Sequence, residues 1–172
     1  MLAPGISGPI SPPISPNEKT PTEQQLKAKA DSFYAQYEKA AKQAVADMNN
    51  PGAPGTLKKE LNTAQVDLEK SLHYDIGALN SVTQSMSNTE NQITQKENVL
   101  QSLEKNLQQA KRLHLSSKAY SAADAKAKQD LRGLQNTYNG LAERRDALER
   151  QAENSQQLLD QLASDPNYLY DH

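Results

Sequence analysis

A chain of 172 residues with a formal net charge of −2 and 35% apolar residues is long enough for one domain or one extended unit and too poor in apolar side chains for a wide core. One phenylalanine, Phe33, no tryptophan and a mean hydropathy of −0.85 exclude a large aromatic core, so stability has to come from Leu and Ala spread along narrow helical stripes. Having no cysteine excludes disulfides, thiolate metal sites and thiol nucleophiles, and leaves the compartment open.

Residues 1–17 carry no charged side chain and consist largely of Pro, Gly, Ser and Ile. Such a segment has too little apolar surface to offset its own ordering entropy, and Pro9, Pro12, Pro13 and Pro16 favour extended or polyproline II backbone. Residues 1–19 are therefore expected to form an extended arm. Ile6, Ile10 and Ile14, spaced four apart, are its candidate partner-binding residues. The segment has neither the basic start nor the apolar run of a secretory signal peptide, so Sec export is not expected. No apolar run approaches the length of a membrane span.

A first helix is predicted over about 21–49. Thr20 reads as its N-cap, Pro21 as the first helical residue and Glu23 as the partner in a capping box. Leu26, Ala30, Phe33, Tyr37, Ala40, Ala44 and Met48 make its inward stripe. Asn49-Asn50-Pro51-Gly52-Ala53-Pro54-Gly55 stops it, since no helix crosses such a cluster.

The second helix, about 57–116 with Thr56 as cap, organises the rest. Leu72, Leu79, Met86, Ile93, Leu100, Leu107 and His114 fall at one seam position of an undrifting seven-residue register. Leu61, Leu68, Asp75, Val82, Thr89, Lys96, Leu103 and Ala110 fall at the other. Asp75 reads as a buried polar residue that sets register, although its neighbours His73 and Tyr74 also make an acid–base pair conceivable. Lys96 is expected to lay its stem over Tyr138. Ile76 to Thr89 contains no charged residue, which predicts enclosure on more than one side. Gly77 within it points to close approach of another backbone or to a bend.

The third helix is predicted over about 121–163, with Ser121 as cap and Asp124 behind it. Ala127, Leu134, Leu141, Leu148, Ser155 and Leu162 form one seam position, and Leu131, Tyr138, Arg145, Ala152 and Leu159 the other. Residues 164–172 form a short aromatic tail in which Tyr168, Leu169 and Tyr170 are candidate docking residues.

Short connections make neighbouring helices antiparallel. Folding the third helix back about residue 118 brings Leu100 to Leu134, Ile93 to Leu141 and Met86 to Leu148, and sets Arg145 beside Glu90 as a register-setting pair. Folding the first helix back about residues 52–53 brings Phe33 to Leu72 and Tyr37 to Leu68. The first and third helices then cover opposite ends of the second and overlap near residues 72–84. The expected fold is all-α: an elongated antiparallel helical hairpin or coiled coil of three helices, 20–163, with a Pro-rich arm.

No chemistry emerges from the motifs. His73, His114 and His172 share no metal-ligand spacing, and there is no phosphate loop, nucleophile elbow or paired-carboxylate motif, so neither an enzyme nor a cofactor is expected. Lys111-Arg112 and Arg144-Arg145 are flanked by acids or amides and read as solvated helix faces, which argues against a nucleic-acid partner. The expected role is a structural subunit of a larger assembly (a virion or phage particle, an adaptor or a scaffold), with self-association or a protein partner completing a thin core. The charge-free leader also resembles, in composition, the N-termini of proteins exported by type III-like secretion systems. That resemblance implies an effector, tip or filament subunit as the alternative.

Overall fold

In the computed structural model, residues 20–49 and 55–165 are described, and they form three helices with no strand among them. These are α1 (Glu23–Asn49), α2 (Thr56–Arg112) and α3 (Lys118–Ser164). At about 1.5 Å per residue the 57 residues of α2 run for about 85 Å along its axis.

The seven-residue register on α2 decides which side chains are covered. Every seam position from Leu61 to Ala110 is buried or half-buried, and only His114, beyond the helix, is exposed. The seam positions of α3 and the inward stripe of α1 are likewise all buried or half-buried. The fully buried residues are mostly small: Ala30, Ala44, Ala64, Ser71, Ala78, Ala152 and Ser155. Ala64, Ser71 and Ala78 lie at a third seven-spaced position of α2 outside the expected seam, and small residues at such contacts let backbones approach closely and keep the core thin.

The ends of the helices differ from the sequence expectation in instructive ways. α1 opens two residues later than expected, on a capping box of Thr22 and Gln25. The Gln25 amide donates to Thr22 Oγ1 (3.2 Å) and the Thr22 amide to Gln25 Oε1 (3.0 Å). Thr-x-x-Glu at 20–23 and Thr-x-x-Gln at 22–25 are equally good boxes; starting at Thr22 leaves Pro21 outside the helix. α2 begins at Thr56 rather than being capped by it, after Gly55 at φ +96°, a conformation that favours glycine.

α2 ends at Arg112, four residues early, in a Schellman closure. His114 takes φ 52°, its amide donates to the Lys111 carbonyl (3.2 Å), and the Leu115 amide donates to that of Ala110 (2.9 Å). α3 starts at Lys118, three residues before the expected cap at Ser121, whose amide donates to the Ser117 carbonyl (2.9 Å).

The described residues fall into two compact units. One comprises α1, α2 up to Leu79 and α3 from Leu148; the other is Asn80–Ala147. In the first, Tyr37, Ala64, Leu68, Leu72, Ala152 and Leu159 form one buried cluster, with Tyr34, Ile76, Leu158 and Leu162 against it. All three helices therefore share this core around the middle of α1, from Tyr34 to Ala41. The expected division, with α1 on one end of α2 and α3 on the other, is corrected: α3 reaches back to Ala64, well past residue 72.

The α1–α2 pairing agrees with the expected fold-back. Tyr37 and Leu68 share the core cluster, Ser71 Oγ donates to the Ala30 carbonyl at 2.8 Å, and Phe33 stacks on Tyr74, a neighbour of Leu72 two positions on, at 5.6 Å. Leu26 lies over Gly77, 3.5 Å from where a Cβ would sit. The close approach at Gly77 is thus made by a side chain, and α2 continues through it as helix.

In the second unit, Lys96 meets Asp130 (3.1 Å), Glu90 meets Tyr138 (2.8 Å) and Glu104 meets Lys128 (3.7 Å). Partners descend on α3 as they ascend on α2, so the two segments run in opposite directions. The midpoints of these pairs are residues 113–116, not 118, because the closure at His114 ends α2 early. Enclosure of Ile76–Thr89 holds only at its start. Ile76, Gly77, Ala78 and Leu79 are all buried or half-buried, whereas Thr83, Gln84, Ser85, Ser87 and Asn88 are exposed. Their side chains are polar but uncharged, and solvation is sufficient for them.

Candidate functional site

The most unusual chemical environment lies in the first unit, at Asp75. Its position on the inward seam of α2 follows from the heptad register, and the side chain is 0% exposed. Neither carboxylate oxygen has a hydrogen-bond partner. Burying a carboxylate without a partner strongly disfavours its charged form. Burial, followed by the negative charge of Asp31 on α1, pushes the Asp75 pKa up to about 7, and Lys27 opposes them.

Asp31 faces the opposite circumstances. Burial pushes its carboxyl up, but hydrogen bonds from Lys27 Nζ (2.7 Å) and Gln151 Nε2 (3.0 Å), together with the Lys27 charge, outweigh this and hold it below the ordinary range. Asp31 thus remains ionised and helps to keep Asp75 protonated. Close by in sequence, Ser71 is fully buried and satisfied by the Ala30 carbonyl. On α3, Ser155 is fully buried with its hydroxyl unpartnered. The seam of the first unit therefore carries a small set of polar groups where leucine would pack.

A second carboxyl pair joins α1 to α2. Glu60 is pushed up, first by its hydrogen bond with Asp47, then by burial and by the Asp47 charge. Neither carboxyl pair was visible as a motif, because each forms only when α1 folds back onto α2. The inward stripe of α1 contains the signal for the first, since Lys27 and Asp31 flank Ala30.

The outer side of the α1–α2 contact is aromatic and cationic. Phe33 and Tyr74 stack at 3° between ring planes, His73 meets Tyr74 edge-on at 5.4 Å, and Lys29 and Lys70 each stand 5.3 Å from the Tyr74 and Phe33 ring centroids, respectively. Cations over stacked rings are an ordinary surface stabilisation. His73 is engaged with Tyr74 while Asp75 points into the seam, so the geometry assembles no acid–base pair from the two.

The remaining register residues belong to the second unit. Glu90 accepts a hydrogen bond from the Tyr138 hydroxyl at 2.8 Å, which first, with burial and the Glu90 charge, raises the Tyr138 pKa against the influence of Arg145. Arg145 is half-buried and donates through Nε and Nη2 to Asp146 on its own helix, at 3.1 and 2.9 Å. Arg145 and Glu90 are thus both near Tyr138, whose hydroxyl bridges α3 to Glu90 on α2. Lys96 does not lie over Tyr138; its ammonium pairs with Asp130. Ile6, Ile10, Ile14, Tyr168, Leu169, Tyr170 and His172 lie outside the described residues.

Among the described residues no group of three or more His, Asp or Glu side chains is arranged to hold a metal, and no helix is long and apolar enough to cross a membrane. One open surface depression on α2 is lined by Lys58, Lys59, Asn62, Val66, Asp67 and Lys70. The fold and these features define an all-α, three-helix protein with a polar-interrupted seam. In comparison with known proteins, no family model, curated protein or solved structure matches the chain.

Proposed function

We propose that this chain is a non-enzymatic structural or interaction protein, an elongated antiparallel helical coiled-coil subunit of a larger assembly that docks neighbours through its two termini. The observation that carries this reading is α2 itself. A 57-residue helix whose seam stays covered from Leu61 to Ala110 is far longer than a compact core needs. Helices of that length set distances between things, and their mechanism is packing rather than chemistry.

The thinness of the seam supports association as well. Ala and Ser at so many buried positions contribute little apolar area each, and Val66 and Val99 remain exposed on α2. Self-association or a protein partner completes such a core. Sedimentation velocity of the full chain across a hundredfold concentration range tests this, with a monomer at every concentration and no partner on copurification from the native source counting against it.

Export by a type III-like apparatus is the alternative, and it rests on the composition of residues 1–17. Deleting residues 2–17 separates the two: lost incorporation into a particle supports the docking arm, and lost secretion with assembly intact supports export.

A further inference from the structure

The turn between α2 and α3 bears features that neither helix formation nor the seam explains. The Schellman closure throws Leu113 and Leu115 outward, 59% and 62% exposed, with Tyr120 at 38% just inside α3. In such a closure the residue after the left-handed position frequently packs back onto the helix, yet Leu115 leaves 62% of its surface exposed. The exposed leucines stand on a turn held by two backbone hydrogen bonds, so their display is built into the backbone.

The charge around them is of one sign. Between Glu104 and Asp124 the chain carries Lys105, Lys111, Arg112 and Lys118 and no acid. With a net charge of −2 overall, these four cations leave −6 on the rest of the chain. Cations at the C-terminus of α2 would complement its dipole, which accounts for Lys111 and Arg112. It does not account for Lys118, which opens α3, where no acid stands in the first turn and a cation is disfavoured.

We propose that this turn is a docking tip for an anionic lipid surface. Leu113 and Leu115 enter the acyl boundary, Tyr120 sits at headgroup level, and Lys111, Arg112 and Lys118 meet the lipid phosphates and carboxylates. A protein partner fits less well, because a convex turn of a few residues falls short of the roughly 800 Å² per side that a specific protein interface buries. Membrane binding needs no such area: it grows with each apolar side chain inserted and each cation brought to the surface. One tip binds weakly and reversibly, and an assembly carrying many tips binds firmly.

The test is flotation of the full chain with phosphatidylcholine vesicles and with vesicles containing 30% phosphatidylserine. Binding is expected only with phosphatidylserine, and is expected to weaken several-fold in 0.5 M salt. Leu113→Ser/Leu115→Ser and, separately, Lys111→Glu/Arg112→Glu/Lys118→Glu should each reduce bound protein at least tenfold, with helicity by circular dichroism unchanged. Val99→Ser, an exposed apolar residue away from the turn, should bind as the parent does. No binding to either vesicle overturns the proposal, as does equal binding to both or full binding by the tip variants. If the tip variants instead lose self-association in sedimentation while vesicle binding is unchanged or absent, the occupant is the acidic remainder of a second copy and the lipid assignment fails.

Discussion

The carboxylate of Asp31 acts across the α1–α2 contact on the carboxyl of Asp75, adding to burial in raising the pKa of Asp75 to about 7. Asp31 itself is kept ionised by Lys27 and Gln151, one from α1 and one from α3. One buried acid thus reports on the packing of all three helices in the first unit.

This arrangement predicts a stability that declines as pH rises. The folded pKa of Asp75, about 7, lies above the ordinary value of 3.8. Its contribution is therefore fully present below about pH 4 and lost progressively up to about pH 7, reaching at most about 4 kcal/mol. Urea midpoints of Asp75→Asn and the parent, compared between pH 4.5 and 8, measure it: the variant gains on the parent as pH rises. Asp31→Asn removes the like charge, so the decline should end at a lower pH. Parallel curves for parent and Asp75→Asn would refute the buried, unpartnered state.

Gly77 offers a second test, because the methyl of alanine would meet Leu26 at 3.5 and 3.6 Å, an ordinary contact. Gly77→Ala should therefore keep the fold and stabilise it by about 0.5–1 kcal/mol through helix propensity. Gly133→Ala, with nothing within 4 Å of the new Cβ, should do the same. A loss of stability at position 77 alone would mean that another backbone lies closer than Leu26.

The two possible capping boxes are separable by substitution. Thr22→Ala should cost about 1 kcal/mol, the usual value of an N-cap, while Thr20→Ala should change the thermal midpoint little. The reverse outcome would restore the start at Thr20.

Leu68 is fully buried in the three-helix cluster, and Leu68→Ala should cost about 2–5 kcal/mol. Val66→Ala, two residues away on the exposed side, should stay within about 0.5 kcal/mol of the parent. Chemical denaturation of both variants, followed by circular dichroism, checks the direction in which the helix faces its partners.

Much of the architecture was legible residue by residue. Leu61 through Ala110 on α2, Ala127 through Leu162 on α3 and Leu26 through Met48 on α1 all face inward as the spacing requires, because helical periodicity is a local property of one chain segment. The helix ends were less so: Thr20 and Thr22 present the same capping chemistry, and the stop at His114 depends on a left-handed conformation that glycine would have signalled and histidine does not. The docking role given to Ile6, Ile10, Ile14 and Tyr168–Tyr170 rests on composition alone.

What the amino-acid order determined by itself was three helices and the face each one covers, since both follow from spacing within a segment. What only the tertiary structure decided was how far each helix slides along its neighbour. An early closure at His114 moves the α2–α3 reversal from residue 118 to about 113–116, replacing Tyr138 by Asp130 as the partner of Lys96. The fold-back of α1 makes neighbours of Asp31 and Asp75, and of Asp47 and Glu60. Titration depends on distance through space and on the loss of water, and neither quantity is written in the spacing along the chain.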